Sequence, residues 1–252
     1  MAERLLAPDD SSVVVEEFDH AGAALVVEDF GSGRPFVLLH GIGMGRSVYG
    51  DLATHLTGRV IAVDLPGFGE APEPERTLTM ARHADLVAAW LRSAGVTGSC
   101  VVGHSMGSQI AAELAARHPD LVAGLVLAAP TVDAAHRTLA AQAGRLLRDL
   151  IAEQPLVFWR GAREYLRGGP HVLRKARATI VHEPERAYRQ VRCPALVLRG
   201  EHDPMVPASW GDFVVDQLPD AELRVIEKHG HGTLISDAEP AARLITEFAA
   251  RL

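Results

Sequence analysis

Cysteine and net positive charge are both scarce in this 252-residue sequence, and each shortage excludes a class of protein. The two cysteines, Cys100 and Cys193, lie far apart and match no metal-ligand spacing, so we expect two reduced thiols and no metal site. The formal net charge is −7, whereas a protein that binds nucleic acid normally has a basic face. The composition therefore predicts no nucleic-acid partner.

Long hydrophobic runs are absent as well. No stretch approaches the ~18 apolar residues that are needed to span a bilayer. The segment Met1 to Glu17 contains acidic residues early and lacks an apolar core behind a basic region, which is not the pattern of a signal peptide. We therefore expect a cytoplasmic protein without a membrane partner, and the sequence leaves its oligomeric state open.

What the sequence does contain is an alternation of short apolar runs with longer helical patterns. Val13–Phe18 and Leu25–Val27 are predicted to form an antiparallel pair. The later runs are apolar on both faces, as is typical of interior parallel strands, and they are Phe36–Leu39, Val60–Val63, Cys100–Val102, Leu125–Leu127, Ala195–Leu198 and Leu223–Ile226. Helical patterns cover Thr79–Ala94, Ser108–Arg117 and Ala238–Leu252. This alternation predicts an α/β fold with a mostly parallel, doubly wound sheet.

One segment, Thr131 to Gln190, interrupts the alternation. It has no convincing strand, its apolar residues recur at helical spacing, and Pro155 and Gly168-Gly169-Pro170 divide it into about three helices. We interpret it as a helical cap inserted between two strands. The predicted domains are a core formed by residues 1–130 and 191–252 and a cap formed by residues 131–190.

A nucleophile is predicted in the run Gly103-His104-Ser105-Met106-Gly107. The run follows the predicted strand Cys100–Val102 and opens the predicted helix Ser108–Arg117. A tight strand-to-helix turn of this kind exposes a serine hydroxyl above the sheet, and its glycines let neighbouring backbones pass close by. Ser105 is therefore the candidate nucleophile.

Serine needs a base to activate it, and the base is oriented by an acid. Asp203 follows the strand Ala195–Leu198 and is the predicted acid, with Asp133 as the alternative. His231 lies on a glycine-rich loop before the last helix and is the predicted base, with His229 as the alternative. The order of serine, acid and histidine along the chain agrees with a triad built on this type of sheet.

Backbone donors for a developing oxyanion are expected on two loops. The run Leu39-His40-Gly41-Ile42-Gly43 follows a strand and should face Ser105, so the predicted donors are the backbone amides of Ile42 and Met106. We interpret His40 as a residue that braces this loop, and His104 as a packing residue that points away across the turn. Glu201 and His202 are interpreted as structural loop residues.

Together these motifs resemble the α/β-hydrolase superfamily over nearly the whole chain. The resemblance rests on His40-Gly41, Asp64-Leu65-Pro66-Gly67-Phe68-Gly69, the run around Ser105, Gly200-Glu201-His202-Asp203-Pro204-Met205-Val206-Pro207 and Gly230-His231. It implies the α/β-hydrolase fold with a helical cap, a Ser-His-Asp triad and no metal or organic cofactor. It also implies that the run from Asp64 to Gly69 is a structural turn at the sheet edge.

Three functions remain open at this stage. The first is hydrolysis of a carboxylic ester, thioester or lactone of a small, largely apolar molecule through an acyl-serine intermediate. The second is hydrolysis of a carbon–carbon bond of the meta-cleavage type, although enzymes of that branch tend to have Trp after the histidine, where this chain has Gly232. The third is a ligand sensor with slow turnover. Candidate pocket walls are Phe158, Trp159, Tyr165, Leu166 and Trp210.

Overall fold

Within residues 13–134, 137–138 and 173–252, which the computed structural model describes, eight strands form one sheet in the order β1-β2-β4-β3-β5-β6-β7-β8. The strands are β1 Val14–His20, β2 Ala23–Phe30, β3 Pro35–Leu39, β4 Arg59–Asp64, β5 Ser99–His104, β6 Val122–Ala128, β7 Ala195–Gly200 and β8 Ala221–Ile226. β1 and β2 are antiparallel, β2 pairs antiparallel with β4, and the remaining neighbours are parallel. The predicted α/β-hydrolase fold, with a mostly parallel sheet, is confirmed.

Helices cover both faces of this sheet. They are α1 Gly50–His55, α2 Met80–Ser93, α3 Met106–Arg117, α4 Glu185–Tyr188, α5 Ala208–Gln217 and α6 Glu239–Ala249, and residues 173–181 are also helical. The patterns predicted α2, α3 and α6. α4 lies in the segment that was predicted to be helical, but the patterns did not predict α1, which is too short to show a helical period, or α5, which contains Gly211 in its middle. None of the described helices is long and apolar enough to cross a membrane.

The core lies in two layers because successive side chains of a strand point to opposite faces of the sheet. Val101 of β5 packs in the layer that contains α2 and α3. Its neighbours Cys100 and Val102 pack in the other layer, which contains α6. The interior strands are therefore apolar on both faces, which explains why continuous apolar runs predicted them.

The predicted cap falls between β6 and β7, which are adjacent parallel strands. Its residues 135–136 and 139–172 lie outside the described residues. In the part of the predicted cap that leads back to β7, the Lys175 ammonium group donates to the Gly67 carbonyl oxygen and pairs with Glu73. It also lies 4.3 Å from the centre of the Phe68 ring. Tyr188 of α4 is fully buried in the α2–α3 layer of the core. The boundaries at residues 130 and 191 remain a prediction.

A buried ion network fixes the turn that follows β4. The guanidinium group of Arg46, only 2% exposed, pairs with Asp64, with Glu28 at 3.1 Å and with Glu70 at 2.6 Å. The Asp64 carboxylate also accepts hydrogen bonds from the backbone amides of Arg46 and Glu70. Breaking such a network by removing one partner leaves an uncompensated buried charge. The run from Asp64 to Gly69 is a turn, as the resemblance implied, but it follows β4, which lies between β2 and β3 inside the sheet and not at its edge.

The first turn of α3 approaches β3 so closely that only glycine fits at position 107. A Cβ at Gly107 would collide with the backbone carbonyl oxygen of Leu39. By contrast, a Cβ at Gly211 in α5 would meet the side chains of Leu223 and Arg199 at ordinary distances of 3.5 and 3.7 Å. Gly211 therefore provides a control for a substitution at Gly107, because both glycines lie in helices and only Gly107 is crowded by backbone.

We expect Gly107→Ala to lower the free energy of unfolding by about 3 kcal/mol, because backbone must move to relieve the collision. Gly211→Ala should leave stability unchanged or raise it by up to about 1 kcal/mol, because alanine favours a helix. Urea unfolding followed by circular dichroism measures both. Equal midpoints for Gly107→Ala and the wild type would contradict the close approach of α3 to β3.

Candidate active site

Ser105 lies in a tight turn between β5 and α3 with a left-handed backbone, φ 53° and ψ −115°. This conformation is strained for a residue with a Cβ and persists only where the surroundings enforce it. Here the Ser105 amide donates to the Ala128 carbonyl oxygen of β6 at 3.0 Å, and the Ser105 carbonyl oxygen accepts from the Ser108 amide at 3.0 Å. A Cβ at Gly103 would collide with the Gly107 carbonyl oxygen, so the glycines allow the sharp turn.

The structure brings Ser105, His231 and Asp203 into one hydrogen-bonded series. His231 Nε2 lies 3.1 Å from Ser105 Oγ, and His231 Nδ1 lies 2.9 Å from Asp203 Oδ2. An ionised carboxylate can only accept hydrogen bonds, which assigns the proton to Nδ1 and leaves Nε2 to accept from the serine hydroxyl. The three residues follow β5, β7 and β8, whose carboxyl ends share one edge of the sheet.

Asp203 is held in its ionised form by its surroundings. Its side chain is fully buried, and burial alone would raise its pKa. The charge and hydrogen bond of His231, together with hydrogen bonds from the amides of Met205 and Val206 at 2.8 and 3.2 Å, outweigh burial and keep the Asp203 pKa below its ordinary value. The other candidate acid, Asp133, is buried, but the bond to His231 Nδ1 described here belongs to Asp203.

His229, the alternative base, is engaged in its own loop. Its two ring nitrogens lie 2.7 Å from the Glu227 carbonyl oxygen and 3.1 Å from the Asp237 carbonyl oxygen. Nearby, the Glu201 carboxylate accepts from the Lys228 amide at 2.9 Å and so supports the same loop. The structure thus brings His231 to Ser105, and not His229.

The loop after β3 lies against Ser105. A Cβ at Gly41 would lie 3.3 Å from Ser105 Cβ. The next residue, Ile42, is half-buried against the core. Met106 begins α3, where the backbone N–H has no acceptor within the helix and the helix dipole is positive. Both predicted donors therefore belong to segments that border Ser105, and their role as oxyanion donors stays a prediction.

His40 braces this loop, in agreement with its interpretation from the sequence. Its Nε2 accepts from the Leu65 amide at 3.1 Å, so Nδ1 is the atom that donates to the Gly41 carbonyl oxygen at 2.7 Å. Burial, above all, lowers the pKa of His40 and keeps the ring neutral, as this donor and acceptor pattern requires. The ring also contacts the edge of Phe68, which joins the loop after β3 to the turn after β4.

The side chain of His104 does not point away from the site, as the sequence interpretation had it. Its Nε2 lies 2.8 Å from the backbone carbonyl oxygen of His231, and the two ring centres are 5.1 Å apart. The alternation along β5 gives the reason, because residue 104 shares a face with Cys100 and Val102 and therefore faces the layer that contains α6. The loop that carries His231 lies directly before that helix.

Two further polar residues near Ser105 were not singled out from the sequence. Thr131 Oγ1 lies 3.4 Å from Ser105 Oγ. Gln109, fully buried and one helical turn after Ser105, donates from Nε2 to the carbonyl oxygens of Thr131 and Thr179 at 2.7 and 3.2 Å. Its spacing of four residues from Ser105 on α3 is the one sequence signal that could have indicated it.

Of the five residues predicted to line a pocket, only Trp210 lies among the described residues. Phe158, Trp159, Tyr165 and Leu166 lie outside the described residues. Trp210 does not fit the prediction, because it is only 3% exposed, stacks on Phe213 and donates from its indole nitrogen to the Pro130 carbonyl oxygen at 2.9 Å. It is a core residue that supports the loop after β6. In the described part of the chain, no group of three or more His, Cys, Asp or Glu side chains is placed to hold a metal ion.

Comparison with known proteins agrees with this architecture. A profile described as "Alpha/beta hydrolase family" matches residues 36–245. A pimeloyl-[acyl-carrier protein] methyl ester esterase of Chromobacterium violaceum is 30% identical, with 88% of this chain and 97% of that protein aligned. A 2-hydroxymuconate semialdehyde hydrolase of Pseudomonas putida is 28% identical over 97% of both chains. The structure of a thermophilic esterase from Thermogutta terrifontis superposes with a TM-score of 0.78 at 24% identity, covering 96% of this chain and 99% of that one. The chain therefore belongs to the alpha/beta hydrolase family.

Proposed function

We propose that this protein is a serine hydrolase that cleaves a carboxylic ester, thioester or lactone of a small, largely apolar molecule through an acyl-serine intermediate. The observation that supports this most strongly is the hydrogen-bonded series from Ser105 Oγ to His231 and from His231 to Asp203. A nucleophile within reach of a base, which a buried acid orients in turn, is the arrangement that acyl transfer requires.

In the acylation step, Ser105 Oγ attacks the substrate carbonyl carbon while its proton passes to His231 Nε2. Ionised Asp203 holds the imidazolium that forms and fixes its orientation. The carbonyl oxygen becomes an oxyanion that accepts hydrogen bonds from the amides of Ile42 and Met106. When the tetrahedral intermediate collapses, His231 returns the proton to the leaving alkoxide or thiolate, and the acyl group stays on Ser105.

Deacylation repeats these steps with water as the nucleophile. His231 takes a proton from the water as its oxygen attacks the acyl carbonyl carbon, and the same two amides hold the oxyanion. His231 then protonates Ser105 Oγ as the carbon–oxygen bond breaks. The acid product leaves and the hydroxyl of Ser105 is restored.

The substrate class in this proposal rests on the residues beside the nucleophile and on one relative. Ile42 is an apolar, half-buried residue on the loop beside Ser105, which favours an apolar acyl or alkyl group, whereas the Met106 side chain packs in the core. The Chromobacterium relative is a methyl ester esterase, which supports an ester among the three proposed kinds of substrate. We also propose that residues 131–190 form a cap over the core of residues 1–130 and 191–252.

A second candidate is hydrolysis of a carbon–carbon bond. It is favoured by the alignment with the semialdehyde hydrolase of Pseudomonas putida, which extends over 97% of both chains. Gly232, in place of the Trp expected after the histidine in that branch, argues for the ester. The substrate panel described next separates the two.

We expect Ser105→Ala to lower kcat/KM by about 10⁴-fold or more, because the covalent intermediate can no longer form. The measurement is the hydrolysis of p-nitrophenyl esters of increasing chain length, a lactone, a thioester and a dienoic diketone. Preference for an ester, thioester or lactone supports the first candidate, and preference for the diketone supports the second. Wild-type rates for Ser105→Ala on every compound would refute the acyl-serine mechanism.

The choice of base is tested by two alanine variants of neighbouring histidines. His231→Ala should lose about 10⁴-fold in kcat, because nothing else can take the serine proton. His229→Ala should keep kcat within about threefold, since the described contacts of its ring are to the Glu227 and Asp237 carbonyl oxygens and to the Asp237 carboxylate at 3.6 Å, and not to Ser105. Near-normal turnover of His231→Ala would contradict the assignment.

Steady turnover distinguishes an enzyme from a ligand sensor. With an activated ester in excess over protein, an enzyme releases product continuously after the first acylation event. A sensor would release about one product molecule per protein chain and then stop. We expect continuous release because His231, which lies 3.1 Å from Ser105 and is oriented by Asp203, can activate water as well as serine.

A further inference from the structure

His104 occupies a position between the loops that surround the nucleophile. As the last residue of β5 it directly precedes Ser105, and its side chain is fully buried. Its Nε2 contacts the His231 carbonyl oxygen at 2.8 Å, and a Cβ at Gly41 would lie 3.2 Å from its Nδ1. The ring therefore separates the loop of the base from the loop of the oxyanion donors.

The hydrogen bond of His104 fixes which of its nitrogens carries the proton. A backbone carbonyl oxygen only accepts, so Nε2 must be the protonated atom that donates to His231. Nδ1 then has a bare lone pair, which has no hydrogen-bond partner among the described residues. The neutral ring therefore donates one hydrogen bond, to the backbone carbonyl oxygen of His231.

The surroundings keep His104 uncharged while His231 changes its charge. Burial, above all, and the nearby His231 and His40 lower the pKa of His104 to about 4. The bond to the His231 carbonyl oxygen and the charge of Asp203 oppose this without reversing it. A cationic ring only 5.1 Å from His231 would disfavour the imidazolium that catalysis requires, and a neutral ring does not.

The loop around His231 needs such an anchor because of its composition. Gly230 and Gly232 flank the base, and glycine gives the backbone more conformational freedom than any other residue. Backbone hydrogen bonds hold the loop before and after His231. The His202 amide donates to the His229 carbonyl oxygen, and the Ile235 amide donates to the Gly232 carbonyl oxygen. The bond from His104 acts at the peptide of His231 itself.

We propose that His104 is a positioning residue that holds the backbone of His231, and through it the base, within reach of Ser105. The proposal rests on the proposed function, in which His231 is the base. It assigns to the second residue of the run Gly103-His104-Ser105-Met106-Gly107 a role in kcat rather than in substrate binding, because the His104 side chain is fully buried and donates to the backbone of the base.

The test compares His104→Gln with His104→Leu. The glutamine amide nitrogen can occupy the position of Nε2 and donate to the same carbonyl oxygen, whereas leucine fills the space without a donor. We expect His104→Leu to lower kcat about tenfold with KM within about twofold, and His104→Gln to keep kcat within about threefold. Rates are expressed per active site. The number of active sites is the amount of alkyl fluorophosphonate that becomes covalently bound to the nucleophile, so unfolded protein is not counted.

A wild-type kcat per active site in His104→Leu would overturn the proposal, and so would an equal loss in both variants. If His104→Leu does not fold, His104→Gln decides alone, with a near-wild-type kcat supporting the proposal and a tenfold loss refuting it. The failure of the proposed function is distinguishable, since it would show as activity retained by Ser105→Ala. An inactive Ser105→Ala beside a fully active His104→Leu would refute only the role of His104.

Discussion

Ser105 has a positive φ because β5 ends directly against the first turn of α3, and this close approach determines what can surround the hydroxyl. The strained backbone is retained because β5 is paired on both sides, by β3 and by β6. Glycines at 103 and 107 remove the side chains that would collide at the turn. The strain of about 1–3 kcal/mol typical of such a residue is thus offset by sheet and helix contacts elsewhere.

Neutral, buried polar side chains hold the loops around this turn in place. His40 joins the loop after β3 to the turn after β4 by donating to Gly41 and accepting from Leu65. His104 reaches in the opposite direction, to the backbone of His231. Gln109 of α3 donates to two residues of the predicted cap segment, Thr131 at its start and Thr179 near its end. Because backbone groups are the partners in each case, these contacts orient loops without adding charge beside the reacting atoms.

The sequence predicted most of the fold because the interior strands are buried on both faces and read as continuous apolar runs. It also predicted Ser105, Asp203 and His231 as the residues that the structure now places in contact, from motif and chain order alone. The contact of His104 with His231 was not predictable, since a five-residue motif does not reveal which face a side chain takes. Trp210 was misinterpreted because an aromatic residue after a strand suits a pocket wall as well as the core. The contact between Thr131 and Ser105 depends on how β6 lies beside β5, which no local pattern encodes.

The central claim, that Ser105 is an activated nucleophile, is tested most directly by covalent labelling. An alkyl fluorophosphonate forms a bond between its phosphorus and an activated serine oxygen with loss of fluoride, and mass spectrometry of the digested protein locates the adduct. The account predicts one adduct per chain, on the peptide that contains Ser105, and none in Ser105→Ala. Catalytically active protein that acquires no adduct at Ser105, or that is labelled equally in Ser105→Ala, would contradict it.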